Sequence, residues 1–167
     1  MGEKTLEIIQ LNESHRDAVA PLIAGFRSTL LSYKGIQSEP DTEDAKEEFL
    51  GYLESGYPVF AAVEDGKLVG HLVCRTEGPI LWVEQIYVCE DSRRKGVGSA
   101  LFEKAEETAA GMGEETVYNY VHPNNAGMIS FLRSKGYTVL NLIEIRKPYT
   151  GEKLSTKVHV DNEEFDY

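Results

Sequence analysis

Residues 57–74, YPVFAAVEDGKLVGHLVC, are two apolar runs hinged on Asp65-Gly66. That dipeptide tolerates the positive φ angles of a tight hairpin turn, so the stretch predicts two adjacent antiparallel strands. A third strand follows in ILWVEQIYVC, and the pattern then changes to a glycine turn and the helix GVGSALFEKAEETAAG, ended by Gly111 and Gly113. ETVYNYVH reads as a further strand, NNAGMISFLRSKG as a short helix closed by Gly136, and YTVLNLIEIRK and STKVHV as two last strands. Ahead of the hairpin, LEIIQLN reads as a first strand, and Val19, Leu22, Ile23, Phe26 and Leu30 recur at helical spacing. Pro21 removes a backbone hydrogen bond, so the regular part of that helix is expected to begin late. DTEDAKEEFLGYLES predicts a second helix capped by Asp41 or Thr42, with acids in the first turn suiting the positive helix end. An antiparallel start followed by strands that alternate with helices predicts a mixed sheet in an α/β sandwich.

At 167 residues, 41% hydrophobic and 27% charged, the chain is expected to form one soluble domain over residues 1–167. No stretch approaches the roughly 20 apolar residues of a membrane helix, and MGEKTLEII lacks the apolar run of a signal peptide, so a cytoplasmic location is expected. A net charge of −11 argues against a nucleic-acid partner and suits a cationic one. Cys74 and Cys89 are too few for a zinc cluster or a disulfide framework, and His71 and His122 have no metal-ligand spacing with any Cys or acid, so no metal is predicted.

SRRKGVGSALFEKA, residues 92–105, sets Arg93, Arg94 and Lys95 directly before Gly96-Val97-Gly98 at a helix start. A P-loop needs its Lys after the second glycine, whereas Lys95 precedes the first; a dinucleotide fingerprint needs a third small residue where this chain has Leu101. What survives is the shared physics of a phosphate cradle: leading backbone N–H groups, absent side chains and nearby cations. A basic surface turn before a helix is the other reading of these residues.

VEQIYVCEDSRRKGVGSAL followed by VYNYVHPNNAGMISFLRSKGY resembles the GNAT superfamily of acetyl-CoA-dependent N-acetyltransferases. The first block is similar to that family's acyl-CoA-binding motif, a hydrophobic-aromatic-Val strand end, Ile86-Tyr87-Val88, and then Arg93 through Gly98. The second has Asn125 at the usual Asn position and Gly136-Tyr137 in place of the common Gly-Phe. The order of elements is alike over roughly residues 5–147, and the motifs lie between 83 and 137. The resemblance implies a centrally splayed, mixed sheet of six to seven strands with helices on both faces. It implies that Ile86 and Val88 pair through their backbones with the pantetheine arm of acetyl-CoA. Amides from Arg94 through Lys95, Gly96, Val97 and Gly98 to Ser99 would bind the diphosphate. Asn125 would contact the pantetheine; an Asn at a helix entry is equally a cap.

Acetyl transfer to an amine needs a base, a held oxyanion and a route for the departing thiolate's proton. Glu84 is the candidate base: it is an acid in a strongly apolar strand, alternation puts it on one face with Ile86 and Val88, and members of the family place a catalytic Glu there. A solvent-facing or ion-paired Glu84 is the competing reading. The Val88 N–H is the candidate oxyanion donor. The family commonly has a Tyr as general acid where this chain has Leu132, leaving Tyr87, Tyr120, His122, Tyr137 or water as substitutes. Trp82 and Tyr33 are candidates to line an acceptor pocket, and the acidic, aromatic-ended tail is a candidate for homodimer pairing along a sheet edge. The expected function is transfer of acetyl from acetyl-CoA to a primary amine of a protein or small cationic molecule, by direct attack in a ternary complex. The alternative is a non-catalytic acyl-CoA-binding regulatory or interaction module.

Overall fold

The computed structural model describes residues 5–167; the opening Met1–Lys4, part of the stretch read for a leader, lie outside the described residues. Two compact units divide the chain after Tyr120. In the first, β1 (Leu6–Gln10), β2 (Val59–Glu64), β3 (Lys67–Glu77), β4 (Ile80–Val88) and β5 (Tyr118–Asn119) make one sheet in that order. The first four are antiparallel neighbours, and β5 joins β4 in parallel, so the sheet is mixed as expected. Among the described residues it has five strands rather than six or seven.

The hairpin is where the dipeptide puts it. Asp65 and Gly66 have φ of 52° and 74°, and Glu64 pairs with Lys67 across the turn. Helices α1 (Arg16–Ser32) and α2 (Thr42–Glu54) precede it. The α1 helix begins five residues ahead of Pro21, not after it. Pro21 lies on the exposed face, where the carbonyl deprived of its bond can be hydrated, so the missing N–H does not break the helix. The α2 helix starts as predicted: the Asp41 carboxylate accepts from the N–H groups of Glu43 and Asp44, both at 3.1 Å.

Alternation along β3 sends neighbouring residues to opposite layers. His71 faces Phe26 of α1, while a Cβ on Gly70 would meet Leu101 of α3 (Val97–Gly111) at 3.1 Å and the Tyr87 carbonyl at 2.8 Å. Helices therefore cover both faces, and only glycine lets β3, β4 and α3 approach so closely at position 70. The α1/α2 layer buries Val19, Ile23, Phe49, Val59 and Val73 completely. The α3 layer buries Leu72, Leu81, Leu101 and Phe102.

The second unit holds α4 (Ala126–Ser134) and a separate hairpin of β6 (Lys157–Val160) and β7 (Glu163–Asp166). Gly136 at φ 89° ends α4, and the Tyr137 N–H returns to Leu132 O at 3.0 Å. Two predicted strands differ. ETVYNYVH contributes only Tyr118–Asn119, and YTVLNLIEIRK has no ladder partner among the described residues, with Val139, Leu140, Leu142 and Ile145 exposed. Apolar alternation marks a strand only where another strand's edge takes up its backbone groups.

Candidate active site

A one-turn helix, Glu90–Ser92, follows β4, with the N–H groups of Ser92 and Arg93 on Cys89 O and Glu90 O. Arg94 then adopts φ 60° and Gly96 φ 84°, which swings the chain into α3. Nothing lies within 4 Å of a Cβ at Gly96, so the left-handed backbone, not crowding, calls for glycine there. The α3 ladder opens with Ala100 N–H on Gly96 O at 3.0 Å, so the N–H groups of Val97, Gly98 and Ser99 have no acceptor within the helix. The first turn has neither an acid nor a side-chain cap, in contrast to α2 with Asp41, Glu43 and Asp44. The partial positive charge of such a helix end favours a negatively charged group beside it.

The three cations divide their work. The Arg93 Nε–H donates to Val88 O at 2.9 Å, with the guanidinium 5.7 Å from the Tyr87 ring centre, and Lys95 Nζ donates to Asp91 O at 2.6 Å. These two brace the turn; Arg94 is exposed beside the amides.

The adjoining strand edge is open. Cys89 N–H bonds Val69 O at 2.9 Å, so by alternation Tyr87 also points its backbone groups at β3, while Ile86 and Val88 point theirs to the opposite edge. On that edge β5 pairs only with Trp82 and Val83. The sheet is thus splayed from residue 84 onward. Val88 O is already taken by Arg93, and its Cγ2 lies 3.8 Å from a Cβ at Gly98, which sets the free end of β4 against the start of α3. The Tyr87 side chain turns to the α1 layer, its hydroxyl 2.8 Å from where a Cβ on Gly25 would be.

Glu84 lies at a β-bulge: Val73 pairs with Gln85 and Cys74 with Val83, leaving Glu84 as the extra residue. Strict alternation would put it with Ile86 and Val88. Instead its Oε2 lies 3.5 Å from Arg75 Nε, and its charge acts on Tyr52 of α2, so it projects into the α1/α2 layer together with Gln85. The bulge is the physical reason for this correction.

Beside it runs a buried polar chain. His71 Nε2–H donates to Gln85 Oε1 at 3.0 Å, and Gln85 Nε2 donates to Glu48 Oε1 at 2.7 Å and to the Tyr52 hydroxyl at 2.9 Å. Tyr52 in turn donates to Glu48 Oε1 at 2.5 Å, and Arg27 pairs with Glu48 and Asp44 at 3.3 and 2.6 Å. Burial, opposed by the Gln85 bond, pushes His71 down to about 4. His71 is therefore neutral in the fold, and its unfolded value is near 6.5. The unfolded chain binds the proton first, so this contribution to stability is complete above pH 6.5 and is lost as pH falls toward 4. Denaturant unfolding at pH 7 and pH 4 should show a loss of about 3 kcal/mol attributable to His71, and His71→Gln should flatten that part of the profile.

The remaining sequence candidates fall in both units. In the second unit, Asn125 caps α4, its Oδ1 accepting from Met128 N–H at 3.0 Å; Leu132 is buried; and His122 Nδ1 accepts from Asn124 N–H at 3.1 Å. Trp82 stacks 5.6 Å from Tyr118. Tyr33 follows α1 as its C-cap. Sequence reasoning missed Arg75, whose Nη1 donates to Glu77 at 3.0 Å and Nη2 to the Tyr120 hydroxyl at 2.5 Å, with its guanidinium 4.6 Å from the Trp82 ring centre. The available signal was a cation between Cys74 and Thr76 in an apolar strand, where a charge requires a partner.

No side chain is set up as a covalent nucleophile of the cysteine type: burial pushes the Cys74 thiol up to about 12 and raises Cys89 as well. Among the described residues no group of three His, Cys, Asp or Glu is placed to hold a metal ion, and no helix is long and apolar enough to cross a membrane.

Similar folds occur among solved structures. An aminoglycoside N-acetyltransferase, AAC(6′)-Iy, in complex with CoA aligns with a TM-score of 0.69 at 18% identity, over 87% of this chain and 97% of that one. PaiA N-acetyltransferase from Thermoplasma acidophilum in complex with coenzyme A aligns at 0.66 and 21% identity, over 78% and 88%. An aminoglycoside acetyltransferase from an uncultured soil metagenomic sample, in complex with sisomicin, aligns at 0.65 and 22% identity, over 86% and 96%. No curated protein matches the sequence significantly. The model of the acetyltransferase (GNAT) family matches residues 24–137, a span that takes in the hairpin, the bulged strand, the glycine turn and α4. With more than half of its length in that match, the chain belongs to the GNAT family of acetyltransferases.

Proposed function

We propose that the protein moves an acetyl group from acetyl-CoA to a primary amine, by direct attack with both substrates bound. The observation that carries this reading is the uncapped, acid-free start of α3 set against the outward-facing backbone edge of β4. A diphosphate matches the first feature and an extended amide-bearing arm the second, as the two ends of coenzyme A require. Acetyl-CoA supplies an activated acyl thioester.

In this reading the N–H groups of Val97, Gly98 and Ser99 bind the diphosphate, with Arg94 adding charge and Arg93 and Lys95 keeping the turn in shape. Ile86 and the Val88 N–H orient the arm. The Val88 N–H also serves as the fixed dipole at the acyl oxygen, because its strand partner lies on the other side. Glu84 takes a proton from the incoming ammonium, directly or through one water. A net charge of −11 supports a cationic acceptor, which the protein's field would attract.

Calorimetric titration with CoA, followed by thiol release from acetyl-CoA against sisomicin, a simple diamine, an amino acid and a lysine-rich peptide, tests the reading. Binding with turnover on at least one cationic amine is expected. Tight binding without turnover on any of them would instead make the protein a non-catalytic acyl-CoA-binding module, and no binding would overturn the cradle itself.

A further inference from the structure

Acetyl transfer ends with a proton delivered to sulfur, and the reading above leaves its donor open. The fork of the sheet presents one. Pairing between β4 and β5 stops after Trp82↔Tyr118 and Val83↔Asn119, so Glu84 and Tyr120 are the first residues past the last rung on their two strands. By alternation Tyr120 returns to the face that Tyr118 shares with Trp82. Arg75 reaches both sides of the fork from β3. Its Nε lies 3.5 Å from Glu84 Oε2, its Nη2 donates to the Tyr120 oxygen at 2.5 Å, and its guanidinium lies 4.6 Å from the Trp82 ring centre and 5.2 Å from that of Tyr120.

This arrangement has a chemical direction. The phenolic oxygen accepts from Arg75, so its own proton points away from the guanidinium. The guanidinium sits where negative charge would gather once that proton leaves, fixed in advance by its hydrogen bond to Glu77 and its ion pair with Glu84. Tyr120 is exposed, at 54% of its full residue area, so a substrate atom can approach the hydroxyl. Leu132 offers no proton, and the Tyr87 hydroxyl is turned into the α1 layer against Gly25.

We propose that Tyr120, oriented by Arg75 at the fork between β4 and β5, donates the proton that converts the departing thiolate to CoA thiol. Tyr120 is then a catalytic residue and Arg75 its positioning residue; both roles rest on the acetyl-transfer reading above. The protons balance as follows. The acceptor enters as an ammonium, and Glu84 removes one proton and passes it to water. The nitrogen lone pair forms the new N–C bond, and as the C–S bond breaks its electron pair stays with sulfur. Sulfur takes the Tyr120 proton. The nitrogen gives up its surplus proton through water to the phenolate, which restores Tyr120. The products are amide, thiol and one proton in solvent.

The test compares CoA with desulfo-CoA, in which the thiol is replaced by hydrogen, by calorimetry at pH 9, where a fraction of the CoA thiol is ionised and a donor beside the sulfur draws more of it into the thiolate form. The protein should bind CoA about tenfold tighter than desulfo-CoA, the worth of a hydrogen bond to a charged acceptor. Tyr120→Phe should bind the two alike and should lose about 100-fold in kcat with the KM for the amine within twofold. Tyr118→Phe, which removes a hydroxyl one rung back, should behave as the unaltered protein in both measurements. A Tyr120→Phe variant that keeps the preference for CoA, or keeps kcat within twofold, overturns the proposal and leaves the acetyl-transfer reading standing. A protein that binds neither compound overturns both. Binding without turnover on any amine removes the transfer reading and the catalytic role with it, whatever the sulfur preference.

Discussion

Glu84→Gln should lower kcat by about 100-fold or more while leaving the affinity for CoA within twofold. The substitution keeps the shape of the side chain and an oxygen facing Arg75 Nε, 3.5 Å away, and the guanidinium keeps its hydrogen bonds to Glu77 and Tyr120, so the bulge and the guanidinium hub should persist. What is lost is the proton acceptor. The CoA contacts proposed on β4 are backbone groups of Ile86 and Val88, and the diphosphate contacts are amides of α3; neither includes the residue 84 side chain. Steady-state thiol release together with calorimetric titration of CoA separates the two quantities. A variant with kcat within a few-fold of the parent would show that the carboxylate serves only to anchor Arg75, and the base would have to be sought elsewhere.

Phe102→Ala should cost about 3–5 kcal/mol of stability. Phe102 is fully buried on α3, with Leu101 and Ala105, in the layer that seats this helix on the sheet. Removing the ring leaves a cavity beneath the element that carries the proposed cradle. Because the ligand would bind that element only when it is folded, CoA at about a hundred times its dissociation constant should return about 2.7 kcal/mol to the variant. Urea unfolding followed with and without CoA measures both effects. Destabilisation without any recovery on adding CoA would mean that α3 does not carry the binding site.

The glycine turn was legible because its information is local. Gly96 must adopt a left-handed backbone, Val97 to Ser99 must lead a helix, and Asp65-Gly66 and Asp41 announce a hairpin and a cap through the same short-range chemistry. The site's other half was not legible, because it depends on pairing between distant residues. Nothing near Glu84 in the chain reports that Val73 and Cys74 will leave it as the extra residue of a bulge, and that one slip moves it to the opposite face. Nor does local pattern join His71 and Gln85 to Glu48, Tyr52 and Arg27 on helices far ahead of them in sequence. A charged residue in an apolar strand signals that a partner exists, as at Arg75, but not which one. Segment 137–147 failed for the complementary reason: its composition suits a strand, but strand structure belongs to a pair.

Amide NMR of the isotope-labelled protein titrated with acetyl-CoA reads most directly where the thioester lies. Resonances of Val97, Gly98 and Ser99 should shift together with those of Ile86 and Val88 and become protected from exchange, while those along the solvent face of α2 stay put. Saturable binding that leaves the α3 and β4 amides unmoved would contradict this placement.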